Sequence, residues 1–232
     1  MDVDQEQGPS VPWTARDVWW GLVAMGLWLG LALGAMALVR ALDWVVDASL
    51  SVTILELLLL IPVWWLAVRR YGVGLKALGL RGFGGRALGV GCGLMIASWL
   101  FNLVYSLVLS QFGLQMQTDL IPILSELSAP WLFAIGAVVV APVVEEIFFR
   151  GFVFAGLRER YGWRNAGLIS AGFFAVVHLQ PTTILPIFIL GLIFAYLYER
   201  SGSIWPAVLM HVSSNALALG AAYLAIQTGL SP

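Results

Sequence analysis

Residues 138–150 read VVVAPVVEEIFFR, inside an apolar run that extends from Trp131 to Phe154. A helix needs about 20 apolar residues to cross a bilayer, so this stretch is long enough. It nevertheless carries two adjacent carboxylates and an arginine. Each ionisable side chain at bilayer depth costs about 2.5–3.5 kcal/mol on insertion scales, so the three must have partners or a use. Glu146 and Arg150 are spaced i, i+4, share a helix face and can pair. Glu145 points about 100° away from that face and is left available for chemistry. The plainer alternative is a buried ion-pair cluster that only locks helices together.

The rest of the chain agrees with a membrane setting. Of 232 residues 60% are hydrophobic and 11% charged, against roughly 25% charged in soluble domains. A net charge of −1 offers no basic face for nucleic acid. The single cysteine, Cys92, lies in an apolar run and reads as a small core residue, so no intrachain disulfide is possible. Spans are expected over Val18–Leu42, Ser49–Val68, Ala87–Gln111, Trp131–Phe154 and Ile204–Gln227. Two shorter runs, Asn165–Leu179 and Ile184–Tyr198, are each roughly 22 Å as helix, short of a hydrocarbon core of about 30 Å. They predict a helical pair near 165–198 that stops partway across, broken at Gln180–Pro186. The fold class is all-α: a polytopic membrane bundle of seven or eight segments.

The N-terminal stretch lacks the positive start of a secretory signal, and the apolar run behind it is too long for one. It is read as a short solvated cytoplasmic tail, 1–17, before a retained first span. N-terminal transmembrane helices would occupy 18–128 and a functional membrane core 129–227. With seven alternating segments, Arg16, Arg200 and the two basic loops, Arg69–Arg86 and Arg158–Arg164, fall on one side and Arg40 on the other. This asymmetry predicts a cytoplasmic N-terminus in a bacterial or archaeal plasma membrane. An eighth segment would flip the C-terminus. Gly26, Gly30 and Gly34 recur every four residues, as do Gly89 and Gly93. Small residues at that spacing let helices approach closely, within the bundle or, for the first three, in a homodimer.

Both histidines of the chain also interrupt apolar segments: His178 closes Phe173–His178, and His211 opens HVSSN at 211–215. His211 and Asn215 share a helix face. A carboxylate in a water-poor site can act as general base to a water. Two histidines and a glutamate could instead form an open zinc site. An amide such as Asn215 can donate to an oxyanion. All three devices belong to hydrolysis of an acyl bond by water. Neither a G-x-S-x-G elbow nor an H-E-x-x-H motif occurs.

Glu-Glu-x-x-x-Arg at 145–150, Phe-x-x-x-His at 174–178 and His-x-x-x-Asn at 211–215 occur in that order, each in an apolar segment. Together they resemble the three motifs of the CPBP family, which includes type II CAAX prenyl endopeptidases and Abi-like bacterial homologues linked to bacteriocin processing and self-immunity. The resemblance covers roughly residues 131–225. It implies that Glu145 activates water, that His178 and His211 orient that water or bind a metal, that Asn215 stabilises the oxyanion, and that Glu146 and Arg150 hold the helix in shape. Glu145, His178 and His211 would be the ligands if a zinc is bound, and a metal-free glutamate mechanism is the alternative. The implied activity is an intramembrane endopeptidase acting on a membrane-associated or lipidated protein or peptide. Two other uses of the same residues are a non-enzymatic scaffold or immunity protein and a small proton-coupled transporter. No inverted repeat supports the transporter. A hydrolytic site also requires His178 to come deep enough to meet Glu145, as the partial-depth pair predicts.

Overall fold

The computed structural model of the chain describes residues 10–44, 46, 48–116 and 127–228. The described residues form helices and turns, with no strand among them. Helix α1 is Ala15–Ala41, α2 is Ser49–Arg69 and α3 is Gly85–Ser110. A single helical stretch of 47 residues then runs from Pro130 to Val176. Straight, it would be about 70 Å long, more than twice a bilayer's apolar thickness. It folds back at Gly162, whose φ of 73° and ψ of 157° are non-helical and lie in a region essentially closed to side-chain-bearing residues. The two arms are α4, 130–161, and α5, 163–176. They run antiparallel: Ser170 Oγ donates to the Phe149 carbonyl at 2.8 Å, and the Phe149 and Phe174 rings lie 5.2 Å apart. Helices α6, Ile184–Ser201, and α7, Trp205–Thr228, complete the bundle.

Among the described residues six helical stretches are long and apolar enough to cross a membrane, with α4 and α5 forming one of them. Their outward faces are apolar: Leu31 is 76% exposed, and Leu100, Leu103 and Leu224 are exposed as well. A water-facing protein rarely shows contiguous apolar area on this scale. The chain is an integral, multi-pass membrane protein.

The expected short pair at 165–198 is half found. Helix α5 spans only about 21 Å, but α6 continues to Ser201 and is long enough to cross. Its last turn is held by an ion pair between Arg158 Nε and Glu199 Oε2 at 2.7 Å, each side chain nearly buried. These charged residues look like loop in the sequence. Helices α5 and α6 pack very closely: a β-carbon on Gly191 would stand 2.9 Å from the Ala171 methyl.

Two further expectations are corrected. The tail is packed from Val11 onward. Trp13 is buried and its indole N–H donates to the Phe152 carbonyl at 3.0 Å. Asp17, 1% exposed, accepts from the Thr14 backbone at 2.9 Å and the Tyr71 hydroxyl at 2.6 Å, and pairs with Arg70 at 3.1 Å. Residues 1–9, the rest of the expected tail, and 117–126, near the expected boundary at 128, lie outside the described residues. Nor do Gly26, Gly30, Gly34, Gly89 and Gly93 serve close packing among the described residues, none of which lies within 4 Å of where their β-carbons would be.

The loop between α2 and α3 closes one end of the bundle. Ile204 N–H donates to the Gly79 carbonyl at 3.0 Å, Ser203 Oγ donates to the Arg81 carbonyl at 2.6 Å, and Leu78 is buried. The basic residues of that loop are therefore mounted on a folded platform.

Candidate active site

Helix α4 positions the carboxylates through an interrupted hydrogen-bond ladder. An α-helical turn, Ala141–Glu146, sits between π-helical segments Gly136–Val140 and Ile147–Phe154. Segments of this kind recur at functional sites. Here the local cause is visible. The Ala141 N–H bonds the Gly136 carbonyl, and the next residue, Pro142, has no N–H to offer. The Ala137 carbonyl is thereby left without a helical donor, and Asn215 Nδ2 of α7 donates to it at 2.9 Å. Asn215, expected to serve an oxyanion, braces α4 in this way two turns before Glu145.

Glu146 and Arg150 form the expected pair, Oε1 to Nη1 at 3.1 Å, both fully buried. Arg150 Nη2 also donates to the Gly191 carbonyl at 3.2 Å. Its guanidinium lies over Phe174 at 4.4 Å and Phe194 at 5.1 Å, where cation–π attraction is strengthened by loss of water. Glu146 has a second partner that the spacing did not reveal: His211 Nδ1 stands 3.1 Å from its Oε1. The other ring nitrogen of His211, Nε2, faces Glu145 Oε2 at 3.7 Å. Phe194 stacks on the imidazole at 5.1 Å and Phe174 meets it edge-on at 5.6 Å. The histidine is therefore fixed on every side.

His178 follows the end of α5. Its Nδ1 is 2.7 Å from the Phe174 carbonyl and its ring meets Phe174 edge-on at 5.0 Å. A carbonyl oxygen only accepts, so Nδ1 carries the proton, and in the neutral ring Nε2 keeps its lone pair. The next residue, Leu179, takes a φ of 56°, a left-handed conformation that is strained for a side-chain-bearing residue. His178 and Glu145 line one cavity of about 240 Å³, together with Met25, Trp28, Glu56 and Leu59. The sequence argument required His178 to come as deep as Glu145, and both line this cavity.

Glu56 was not among the expected site residues. A lone carboxylate in the apolar run 49–68 was its only signal, and that signal has no motif around it. The zinc reading fares less well geometrically. Among the described residues, no three His, Cys, Asp or Glu side chains stand where they could together hold a metal ion, and His211 has a carboxylate oxygen facing each ring nitrogen. The arrangement does not fit the three-ligand site, and no chemistry is derived through a metal below.

Part of the chain is similar to known proteins. The family model described as "Type II CAAX prenyl endopeptidase Rce1-like" matches residues 127–217. The protein "Putative membrane peptidase YdiL" of Bacillus subtilis (strain 168) is 37% identical over 93 residues, 40% of this chain and 38% of that protein. An "Uncharacterized 24.3 kDa protein" of Escherichia coli is 34% identical over 86 residues, 35% of this chain and 40% of that protein. The similarity thus spans about two fifths of the length of these relatives. No solved structure gives a significant match. Glu145, Glu146, Arg150, His178, His211 and Asn215 all fall within the matched residues, whereas Glu56 does not. Residues 127–217 thus match the Rce1-like family model, and the three ordered motifs lie inside that segment.

Proposed function

We propose that the protein is an intramembrane endopeptidase that hydrolyses a peptide bond of a membrane-associated or lipidated substrate by glutamate-activated water. The observation that carries this reading is the placement of Glu145 and His178 on one shielded cavity, with His211 3.7 Å from Glu145. Glu145 takes a proton from water as the water oxygen attacks the carbonyl carbon. His178, with a lone pair on Nε2 and a site on the same cavity, orients that water. His211 faces Glu145 and is itself held by Glu146 and the two phenylalanines. Arg150 balances the buried charge of Glu146. The apolar cavity wall of Met25, Trp28 and Leu59 suits an apolar or lipid-bearing peptide. The name of the matched family points to a prenylated substrate, and that of the Bacillus relative to a peptidase of the membrane.

The test is cleavage of a panel of peptides and lipidated peptides by detergent-purified protein. Glu145→Ala is expected to lower kcat by at least about 100-fold, on the scale of a lost general base. A metal chelator is expected to leave the wild-type rate within about twofold, far from the loss that removing a general base causes. Full activity in Glu145→Ala would refute the glutamate mechanism, and loss of activity with chelator, restored by zinc, would refute its metal-free form.

A further inference from the structure

Helix α1 carries an outward face that the candidate active site does not use. Its residues on the cavity are Met25, Trp28 and Leu29. At 100° per residue, Arg16, Trp19, Trp20 and Val23 lie on the opposite side of the helix. They form an open trough of about 540 Å³, completed by Arg160 from the end of α4. Trp19 meets Phe173 of α5 edge-on at 6.1 Å, so the trough lies over the junction of α1 with the α4–α5 hairpin. The Arg160 guanidinium stands 5.5 Å from the centre of the Tyr161 ring. Both arginines are exposed.

The charge of the trough is of one sign. No carboxylate lines it, and neither arginine has an ion pair among the described residues. Asp17, the neighbour of Arg16, is buried, accepts from the Tyr71 hydroxyl and pairs with Arg70. That pairing brings the start of α1 and the residue after α2 to one end of the bundle, the end at which α4 presents Arg160. Beyond the arginines the face of α1 is apolar. Val23, Leu27 and Leu31 continue it, and all three are exposed. From Arg16 to Leu31 is about 22 Å of helix, more than the half-thickness of about 15 Å of a hydrocarbon core. Trp19 and Trp20 stand between the charged and the apolar parts, as indole rings do at a membrane interface. Cations at the rim, indoles next and an apolar path beyond follow the order of groups in a phospholipid: phosphate, glycerol backbone, acyl chain.

We propose that this trough binds an anionic phospholipid, its phosphate held between Arg16 and Arg160 and one acyl chain lying along Val23, Leu27 and Leu31. A guanidinium presents a planar fork of N–H donors that matches phosphate oxygens. The same two cations repel the ammonium of a zwitterionic headgroup, so the site selects net negative charge. Basic pockets between helices on the cytoplasmic side of a membrane take anionic headgroups in this way, and the asymmetry of the basic residues assigns this end of the bundle to that side. Arg16 belongs to α1 and Arg160 to α4, so one phosphate ties together two helices that also line the cavity, the first through Met25 and Trp28 and the second through Glu145 and Phe149. The lipid thereby holds α1 against the hairpin from outside. The site stands whether or not the protein is a peptidase.

The test is native mass spectrometry of the full chain released from detergent, titrated with phosphatidylglycerol or with phosphatidylcholine of the same acyl chains. Phosphatidylglycerol is expected to bind at least about tenfold more tightly, on the scale of two basic residues acting at a membrane surface. Arg16→Gln combined with Arg160→Gln is expected to abolish that preference. Lys76→Gln combined with Arg86→Gln removes the same charge from exposed positions of the loop between α2 and α3 and is expected to leave the preference in place. In melting curves, phosphatidylglycerol should raise the midpoint of the wild type and of the loop variant but not that of the trough variant. Both trough arginines are exposed, so the lipid-free midpoint should be the same in all three. Glycerol phosphate, which has the headgroup charge without the chains, is expected not to bind. Equal binding of the two lipids by the wild type would reduce the trough to ordinary apolar contact with the bilayer and overturn the proposal. An equal loss in the loop variant would trace the preference to general surface charge, and an unchanged trough variant would place it elsewhere; either overturns it too. Glycerol phosphate bound as tightly as the lipid would assign the trough to a free phosphate ester, and dimers lost only in the trough variant would assign it to a second copy of the chain; both refute the lipid.

Discussion

At the residue scale, Arg150 shows why a charge can be tolerated in the middle of an apolar helix. It is fully buried, yet its guanidinium meets Glu146, the Gly191 carbonyl and two aromatic faces. Removing one member of a buried pair strands the other, at a cost of about 3–5 kcal/mol. Arg150→Ala is expected to destabilise the protein by that amount in reversible denaturation in mixed micelles, and Glu146→Gln combined with Arg150→Met to recover a large part of it. Recovery would separate the structural use of these residues from the chemistry of Glu145. The pair was readable in the sequence because i, i+4 spacing fixes it. The contact of Glu146 with His211 was not, since it depends on how α7 is rotated against α4. Asn215 was legible as a polar residue on the face of His211, but its partner, the Ala137 carbonyl, was hidden. Only the combination of π-helical bonding and Pro142 creates that unmet acceptor. Glu56 was missed for a different reason: its significance lies wholly in what stands across the cavity.

Elements were legible to the extent that apolar length defines them. Helices α1, α2, α3, α6 and α7 begin within a few residues of the expected positions. Helix α4 runs past Phe154 through Arg158 and Arg160, and Glu199 of α6 supplies a partner for Arg158 there. The hairpin at Gly162 depends on one backbone conformation. Gly162→Ala is expected to cost about 1–3 kcal/mol and to loosen the α4–α5 packing. Hydrogen exchange should then rise around Ser170 and Phe174 while total helix content holds. The junction of α1 with the end of α2 makes a separate, pH-dependent prediction. The Tyr71 hydroxyl, donating to Asp17 at 2.6 Å, is pushed above its ordinary value chiefly by that bond, with burial and the Asp17 charge adding to it. The protonated phenol is the form that the fold favours. Its contribution is therefore complete below the unfolded value of about 10 and is lost as pH rises through the higher folded value. The stability difference between wild type and Tyr71→Phe, about 1–2 kcal/mol for a bond to a charged acceptor, should be constant near neutrality and vanish at strongly alkaline pH. Melting curves of the two proteins across that range decide it.

For the molecule as a whole, the membrane fold was evident from composition, whereas the way the two halves meet was not. Met25, Trp28, Leu29, Glu56 and Leu59 come from the first two helices, while Glu145, Phe149, Val177 and His178 come from the matched segment. The cavity is a seam between them. This seam lets the two halves change at different tempos through descent. Substitutions in α1 and α2 can remodel the walls, and with them what is admitted, without touching the imidazoles or the Glu146–Arg150 pair. A lineage could thus admit new clients by altering Met25, Trp28, Leu29 and Leu59 while leaving the charged groups of the cavity in place.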